Sequence, residues 1–288
     1  MKRVIAYVLV LLMLVCTGCS ATRPAAKVAA TTLPVYEFTA FLCQGTDITV
    51  TRLVNENVSC LHDYSLSIRQ VKAAEGAEVI VTSGAGLEDF MADILADADV
   101  IDSSTGVSLL CGEHDHEAGE HTHENDPHIW LSPENAKVMV SNIARELTAR
   151  YPGYSEKIGE NLTQLLAKLD ELQAYGEAQL AGLSCKKLIT FHDGFAYFAQ
   201  SFGLTVLKAV EEESGSEASA GDLIELTNLV REHSLPAVFT ETNGSDSAAR
   251  IVAAETGVKI YTLDMAMAGE SYFASMYHNI DTIKEALG

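Results

Sequence analysis

Two rhythms of apolar and polar residues alternate along this chain. Short β-branched runs bounded by turn residues predict strands at "KVAATTLPV", "DITVTRLV", "EVIVTSGAG" and "DVIDSS" in the first half. In the second half they recur at "KKLITF", "LTVLKAV", "PAVFTE" and "VKIYTL". Segments with helical spacing lie between them: "VYEFTAFLCQG", "SLSIRQVKAAEGA", "LEDFMADILADA", then "GFAYFAQSFG", "AGDLIELTNLVREHS", "SDSAARIVAAETG" and the terminal "SYFASMYHNIDTIKEAL". Strand–helix alternation predicts parallel sheets covered by helices.

The middle of the chain breaks the rhythm. "SPENAKVMVSNIARELTARYP" opens on a Ser132-Pro133-Glu134 helix start and stops at Pro152. "YSEKIGENLTQLLAKLDELQAYGEAQLAGL" then keeps helical spacing with no strand before it. Gly159 and Gly176 and the short repeat argue against a coiled coil, so this segment predicts a rigid spine. The expected fold is α/β with two lobes, each a mostly parallel sheet covered by helices. The N-terminal lobe covers 27–152 and the C-terminal lobe 183–288. One long linker helix over 153–182 joins them, leaving a cleft where ligands sit at the carboxyl ends of strands.

The beginning of the chain adds a location. Lys2 and Arg3 precede the apolar run "VIAYVLVLLMLV", followed by "CTGCS". A run of about a dozen apolar residues is short for a permanent span. Thr17-Gly18 before Cys19 resembles a bacterial lipobox. This predicts a signal peptide over 1–18, a lipidated Cys19 and a polar tether over 19–26. The protein then works outside the cytosol, anchored to the membrane, and is periplasmic if the envelope has two membranes.

Charge narrows the partners. The formal charge is −21, and loss of Lys2 and Arg3 with the signal makes it −23. So acidic a body repels nucleic acid and anionic lipid and concentrates cations. Besides Cys16 and Cys19 there remain Cys43, Cys60, Cys111 and Cys185, without C-x-x-C spacing, so a thiolate zinc site is disfavoured. Export permits disulfides, and three pairings of these four stay open.

Histidine carries the candidate chemistry. "CGEHDHEAGEHTHENDPHIWLSP" holds five of the nine histidines. His114, His116, His121 and His123 sit among Glu113, Asp115, Glu117, Glu120, Glu124 and Asp126 in an acidic loop over 111–126, with nothing apolar to pack. The lone His128 stands four residues before a helix start. His62 follows the strand "DITVTRLV", His192 directly follows "KKLITF", and Asp264 ends "VKIYTL". Three imidazoles and a carboxylate from four segments would form a tetrahedral N₃O set that suits zinc. His233 and His278 lie on helices outside these segments and read as structural or surface residues. Glu211-Glu212-Glu213 reads as a solvated loop near the cleft rim.

"LHDYSLS", "DPHIWLSPENA", "FHDGFAYFA" and "TLD" resemble, in order, the four ligand segments of bacterial zinc/manganese solute-binding lipoproteins of ABC importers, in particular their zinc-binding branch (ZnuA-like, cluster A-I). The resemblance covers nearly the whole mature chain. It implies a non-enzymatic receptor that carries Zn²⁺ as cargo and docks, as a monomer, on an ABC permease and through it on the ATPase. It implies metal ligands at His62, His128, His192 and Asp264, and weak metal capture by His114, His116, His121 and His123. The first segment lacks the usual Glu and Pro, and Met265 replaces Pro after Asp264, so water in place of Asp264 stays open. In manganese-selective relatives the third segment carries Glu; His192 favours zinc.

Three alternatives remain: a manganese receptor of the same family, an exported zinc hydrolase, and an adhesin. The hydrolase lacks its motifs. "HTHENDPH" fails the His-x-His-x-Asp-His spacing and no His-Glu-x-x-His occurs. A fourth protein ligand would also close the coordination that catalysis keeps open.

Overall fold

A computed structural model describes residues 27–55, 61, 64–111, 125–210 and 218–288. The expected signal (1–18), Cys19 and the tether (19–26), together with His62, Cys60, the four loop histidines and Glu211–Glu213, lie outside those residues.

The N-terminal lobe contains β1 (Lys27–Ala30), α1 (Leu33–Leu42), β2 (Thr49–Arg52), α2 (Ile68–Glu75), β3 (Val79–Thr82), α3 (Ala92–Leu95) and β4 (Val100–Asp102). Next come α4 (Pro133–Arg150) and the spine α5 (Ser155–Leu180). The C-terminal lobe contains β5 (Lys187–Thr190), α6 (Ala196–Ser201), β6 (Thr205–Ala209), α7 (Ala220–Glu232), β7 (Ala237–Glu241), α8 (Ser247–Thr256), β8 (Lys259–Leu263) and α9 (Tyr272–Leu287). Each sheet has four strands, all pairs parallel, in the orders β2-β1-β3-β4 and β6-β5-β7-β8. In chain order the two lobes thus share one topology, although no sequence repeat announces it. The order reverses between β1 and β3 in one lobe and between β5 and β7 in the other, and ligand crevices form at such points.

The central strands are near-continuous apolar runs because helices cover both faces. Val79, Ile80 and Val81 of β3 and Ala237, Val238 and Phe239 of β7 are all buried. Two small cores lie on the outer faces, one under α2 and α3 and one under α7 and α8. The inner faces share a single core running from Val28 and Phe38 through Trp130, Leu165 and Leu172 to Leu263, Tyr272 and Ile283. The spine is its axis. Its 26 residues span about 39 Å, and Leu165, Leu169 and Leu172 are fully buried.

Neither glycine interrupts the spine. A Cβ on Gly176 would lie 2.2 Å from Cε1 of Phe202, so glycine is where the spine admits the aromatic ring behind α6. One expected helix is largely missing. The segment 87–98 forms only a 3₁₀ turn (Asp89–Met91) and the single turn of α3. At its start Glu88 is buried rather than solvated. Its carboxylate accepts from Thr31 Oγ1 (2.6 Å), Ser83 N (2.7 Å) and Gly84 N (3.0 Å). Beside that closure Gly84, Ala85 and Gly86 stand at φ of 83°, 56° and 90°, so no helix can start before residue 87.

Two stability outcomes are expected. Gly176→Ala gains helix propensity of about 1 kcal/mol but collides with the Phe202 ring. The variant is therefore expected to melt below the wild type; an equal or higher Tm would show that the ring yields freely. Burial pushes the Glu88 carboxyl from 4.5 up to about 7, against its three donors. A raised acid stabilises the fold fully below its unfolded value, and that contribution is lost as pH rises through about 7. Urea unfolding of metal-free protein should show the wild type losing about 2–3 kcal/mol relative to Glu88→Gln between about pH 5 and 8. A pH-independent difference would rule this out.

Candidate metal centre

His192 stands two residues beyond β5, and Glu241 is the last residue of β7, its neighbour in the sheet. Both therefore sit at the C-terminal lobe's point of strand reversal. His128 arrives from the other lobe, on the segment that leaves β4. It caps the 3₁₀ turn Ile129–Leu131, and Ser132, whose Oγ accepts from Asn135 N at 3.3 Å, then starts α4. Both imidazoles are buried, and their Nε2 atoms approach to 3.4 Å with ring planes at 85°. Two imidazoles on one tetrahedral zinc, with Zn–N of about 2.0–2.1 Å, place their nitrogens about 3.3–3.4 Å apart. The pair already has that spacing.

Each ring has a buried carboxylate on its far nitrogen. His128 Nδ1 lies 2.8 Å from Asp126 Oδ1, which also accepts from the His128 backbone N–H at 2.9 Å. His192 Nδ1 lies 3.6 Å from Glu241 Oε2, just beyond hydrogen-bond length. A carboxylate only accepts, so the proton of His128 belongs on Nδ1 and the Nε2 lone pair is bare. Asp126 is held in turn. Its N–H donates to Leu110 O (2.9 Å), and its carbonyl accepts from the Tyr197 hydroxyl (3.0 Å), which itself accepts from Leu110 N (2.9 Å). Burial raises the Tyr197 pKa, so the hydroxyl keeps its proton.

Gly194 lets the rings meet. A Cβ there would lie 2.9 Å from His192 Cδ2, 3.2 Å from His128 Cδ2 and 2.4 Å from Met265 Cε.

The structure thus brings together two of the four proposed ligands. Asp264, half-buried after β8, has Oδ1 accepting from Ala266 N at 2.7 Å, while its own N–H and C=O are clamped by Asn279 at 2.7 Å each. Among the described residues no third His, Cys, Asp or Glu joins the pair in a metal-holding group. His62, on the segment after β2, lies outside them. So do His114, His116, His121 and His123, although the base of their loop is closed by the Cys111–Asn125 bridge. Cys43, Cys111 and Cys185 are free thiols. His278 is exposed on α9, and half-buried His233 ends α7 with Nδ1 2.9 Å from Lys187 Nζ. Sequence reasoning missed Asp126, read as loop decoration, and Glu241. The available signals were an acid two residues before a candidate ligand and a charge ending an apolar strand.

A seam of hydrogen bonds joins the lobes below the rings. The Trp130 indole donates to Met265 O (2.8 Å), Leu33 N to Met267 O (3.4 Å) and Arg52 Nη1 to Gly269 O (2.7 Å). Every second carbonyl after Asp264 is therefore held by the other lobe. The Tyr272 hydroxyl returns a bond to Trp130 O at 2.9 Å. No helix among the described residues is long and apolar enough to cross a membrane.

Two parallel-sheet lobes on one spine, with imidazoles from both meeting at strand ends, define a two-lobed solute-binding protein. The chain belongs to the family described as zinc-uptake complex component A, periplasmic, matched over residues 28–286. It is 30% identical over 282 residues to the zinc-binding lipoprotein AdcA of Streptococcus pneumoniae (strain ATCC BAA-255 / R6), covering 90% of this chain and 55% of that protein. The chain thus spans about half the length of the curated relatives that it matches. A crystal structure of ZnuA superposes with a TM-score of 0.79 at 30% identity, covering 92% of this chain and all of that one (100%). The Mn²⁺ complex of FpvC from Pseudomonas aeruginosa gives 0.80 at 25% identity, covering 91% and 98%.

Gly194→Ala should leave the fold intact, because Met265 Cε can swing aside, but force the two rings apart. A drop in zinc affinity of about tenfold or more, read by chelator competition, is expected from so small a displacement; unchanged affinity would mean that the rings need not approach this closely.

Proposed function

We propose that this protein is an extracytoplasmic, lipid-anchored receptor that captures Zn²⁺ and delivers it to an ABC importer. The observation that carries the reading is the 3.4 Å approach of the His128 and His192 Nε2 atoms, each ring backed by a buried carboxylate. Family membership and the zinc-binding AdcA and ZnuA relatives support it. His128 and His192 are the core ligands, and His62 and Asp264 complete the set once the ion is present. For Asp264 this requires Oδ1 to exchange the Ala266 N–H for the metal, or Oδ2 to serve instead. Imidazole is borderline-soft, so the donor set favours zinc over manganese, which prefers oxygen. The reaction is capture and release without bond chemistry; the protein acts as a monomer and its partner is the permease. His114, His116, His121 and His123 provide weaker capture.

Titration calorimetry with a competing chelator tests the choice of histidines. Replacing 113–124 by a short glycine-serine turn across the Cys111–Asn125 bridge should keep one tight zinc site and abolish weaker equivalents. His128→Ala should keep the weak equivalents and lose the tight site by more than the roughly 10–100-fold that loss of a supporting group costs. Loss of the tight site in the loop replacement, with retention in His128→Ala, would assign the site to the loop instead.

A further inference from the structure

We infer that Asp126 is a positioning residue for metal capture: it fixes the tautomer and orientation of His128 before any ion arrives. The inference rests on the reading of His128 as a ligand. A ligating imidazole whose second nitrogen donates to a carboxylate is held in one orientation and made more basic. Here the 2.8 Å contact of Asp126 Oδ1 with His128 Nδ1 places the proton on the nitrogen away from His192.

Asp126 can do this because it is itself immobilised at three points. Its side chain is buried, its N–H and C=O are bound by Leu110 and Tyr197, and its Oδ1 takes the His128 backbone N–H. Tyr197 lies five residues beyond His192, on α6, so the residue orienting one ring is anchored by the helix that follows the other. Without the carboxylate, the alternative tautomer would put a hydrogen on Nε2, where the metal must bind. Two neutral rings 3.4 Å apart make that tautomer accessible, because His128 Nε2–H could then donate to Nε2 of His192. Asp126 opposes it.

Side-chain ¹⁵N NMR of the metal-free protein reads the tautomer directly, and chelator competition reads zinc affinity. The wild type should show His128 protonated on Nδ1; a majority Nε2–H form would overturn the inference without any variant. Asp126→Ala should shift His128 toward Nε2–H and weaken zinc binding about 10–100-fold. Asp126→Asn, which can keep an acceptor oxygen toward Nδ1, should retain the tautomer and lose less affinity. A merely structural role would not move the tautomer. Asp126→Ala with wild-type affinity or an unshifted tautomer would sink the inference while leaving the receptor reading intact. A wild type that binds no zinc tightly would instead sink the receptor reading, and the tautomer result would stand on its own.

Discussion

Trp130 is fully buried between the lobes and hydrogen-bonded to the C-terminal lobe at both ends of the residue, through its indole N–H to Met265 O and its carbonyl from Tyr272. It sits two residues after His128, and Met265 directly follows Asp264. The side chain therefore does more than fill the shared core. It fixes the segment carrying one proposed ligand against the segment carrying another. Truncating such a residue to alanine costs about 3–5 kcal/mol in ordinary cores. Here it would also release the registration of the two ligand segments. With Leu33, Arg52 and the spine acting beside it, the lobes form one body across their inner faces, and large independent swings of one lobe would expose apolar surface.

That rigidity explains how two buried imidazoles can stand with nitrogens at metal-chelating separation. Left to itself, such a pair would close on its own Nε2–H···Nε2 bond or turn its rings apart. The carboxylates behind the rings, the missing side chain at Gly194 and the closed base below residue 125 all hold it in place. Gly244 contributes in the same way, because a Cβ there would lie 2.5 Å from Glu241 Cγ. The other lobe shows what happens at the equivalent point of strand reversal without ligands. Thr31, Ser83 and Gly84 close around Glu88, and every donor is consumed internally.

Most of the architecture was legible because the strands are short β-branched or apolar runs stopped by turn residues and most helices keep their period. The eight strands fell where "KVAA", "TVTR", "VIVT", "VID", "KLIT", "TVLKA", "AVFTE" and "KIYTL" stand, and the spine ran through its glycines. Residues 87–98 keep a helical period yet form only short turns, and a local period could not reveal that Glu88 at their start is drawn into a buried network. The site divided the same way. His128 and His192 were found by their place at strand ends and at a helix start. Asp126 and Glu241 were not, because their importance comes from contacts to ring nitrogens, and spacing along the chain does not encode which acid folds back. The common topology of the lobes is likewise a property of pairing, invisible in residues that share no repeat.

The shared inner core has a consequence for the order in which the chain can fold. Phe38 on α1 packs edge-on against Tyr272 on α9, with ring centroids 4.9 Å apart, and the carboxylate of Glu37 caps the start of α9 through Ser271 and the Tyr272 N–H. The spine and α4 cover much of the first helix, but its flank at Glu37 and Phe38 stays uncovered until α9 has been synthesised. An N-terminal lobe emerging alone would keep that apolar flank exposed, since the inner core is shared with the other lobe. Completion waits for the final sixteen-residue helix, Tyr272–Leu287. A polypeptide whose shared core closes only when α9 arrives stays threadable longer than one whose lobes are completed separately.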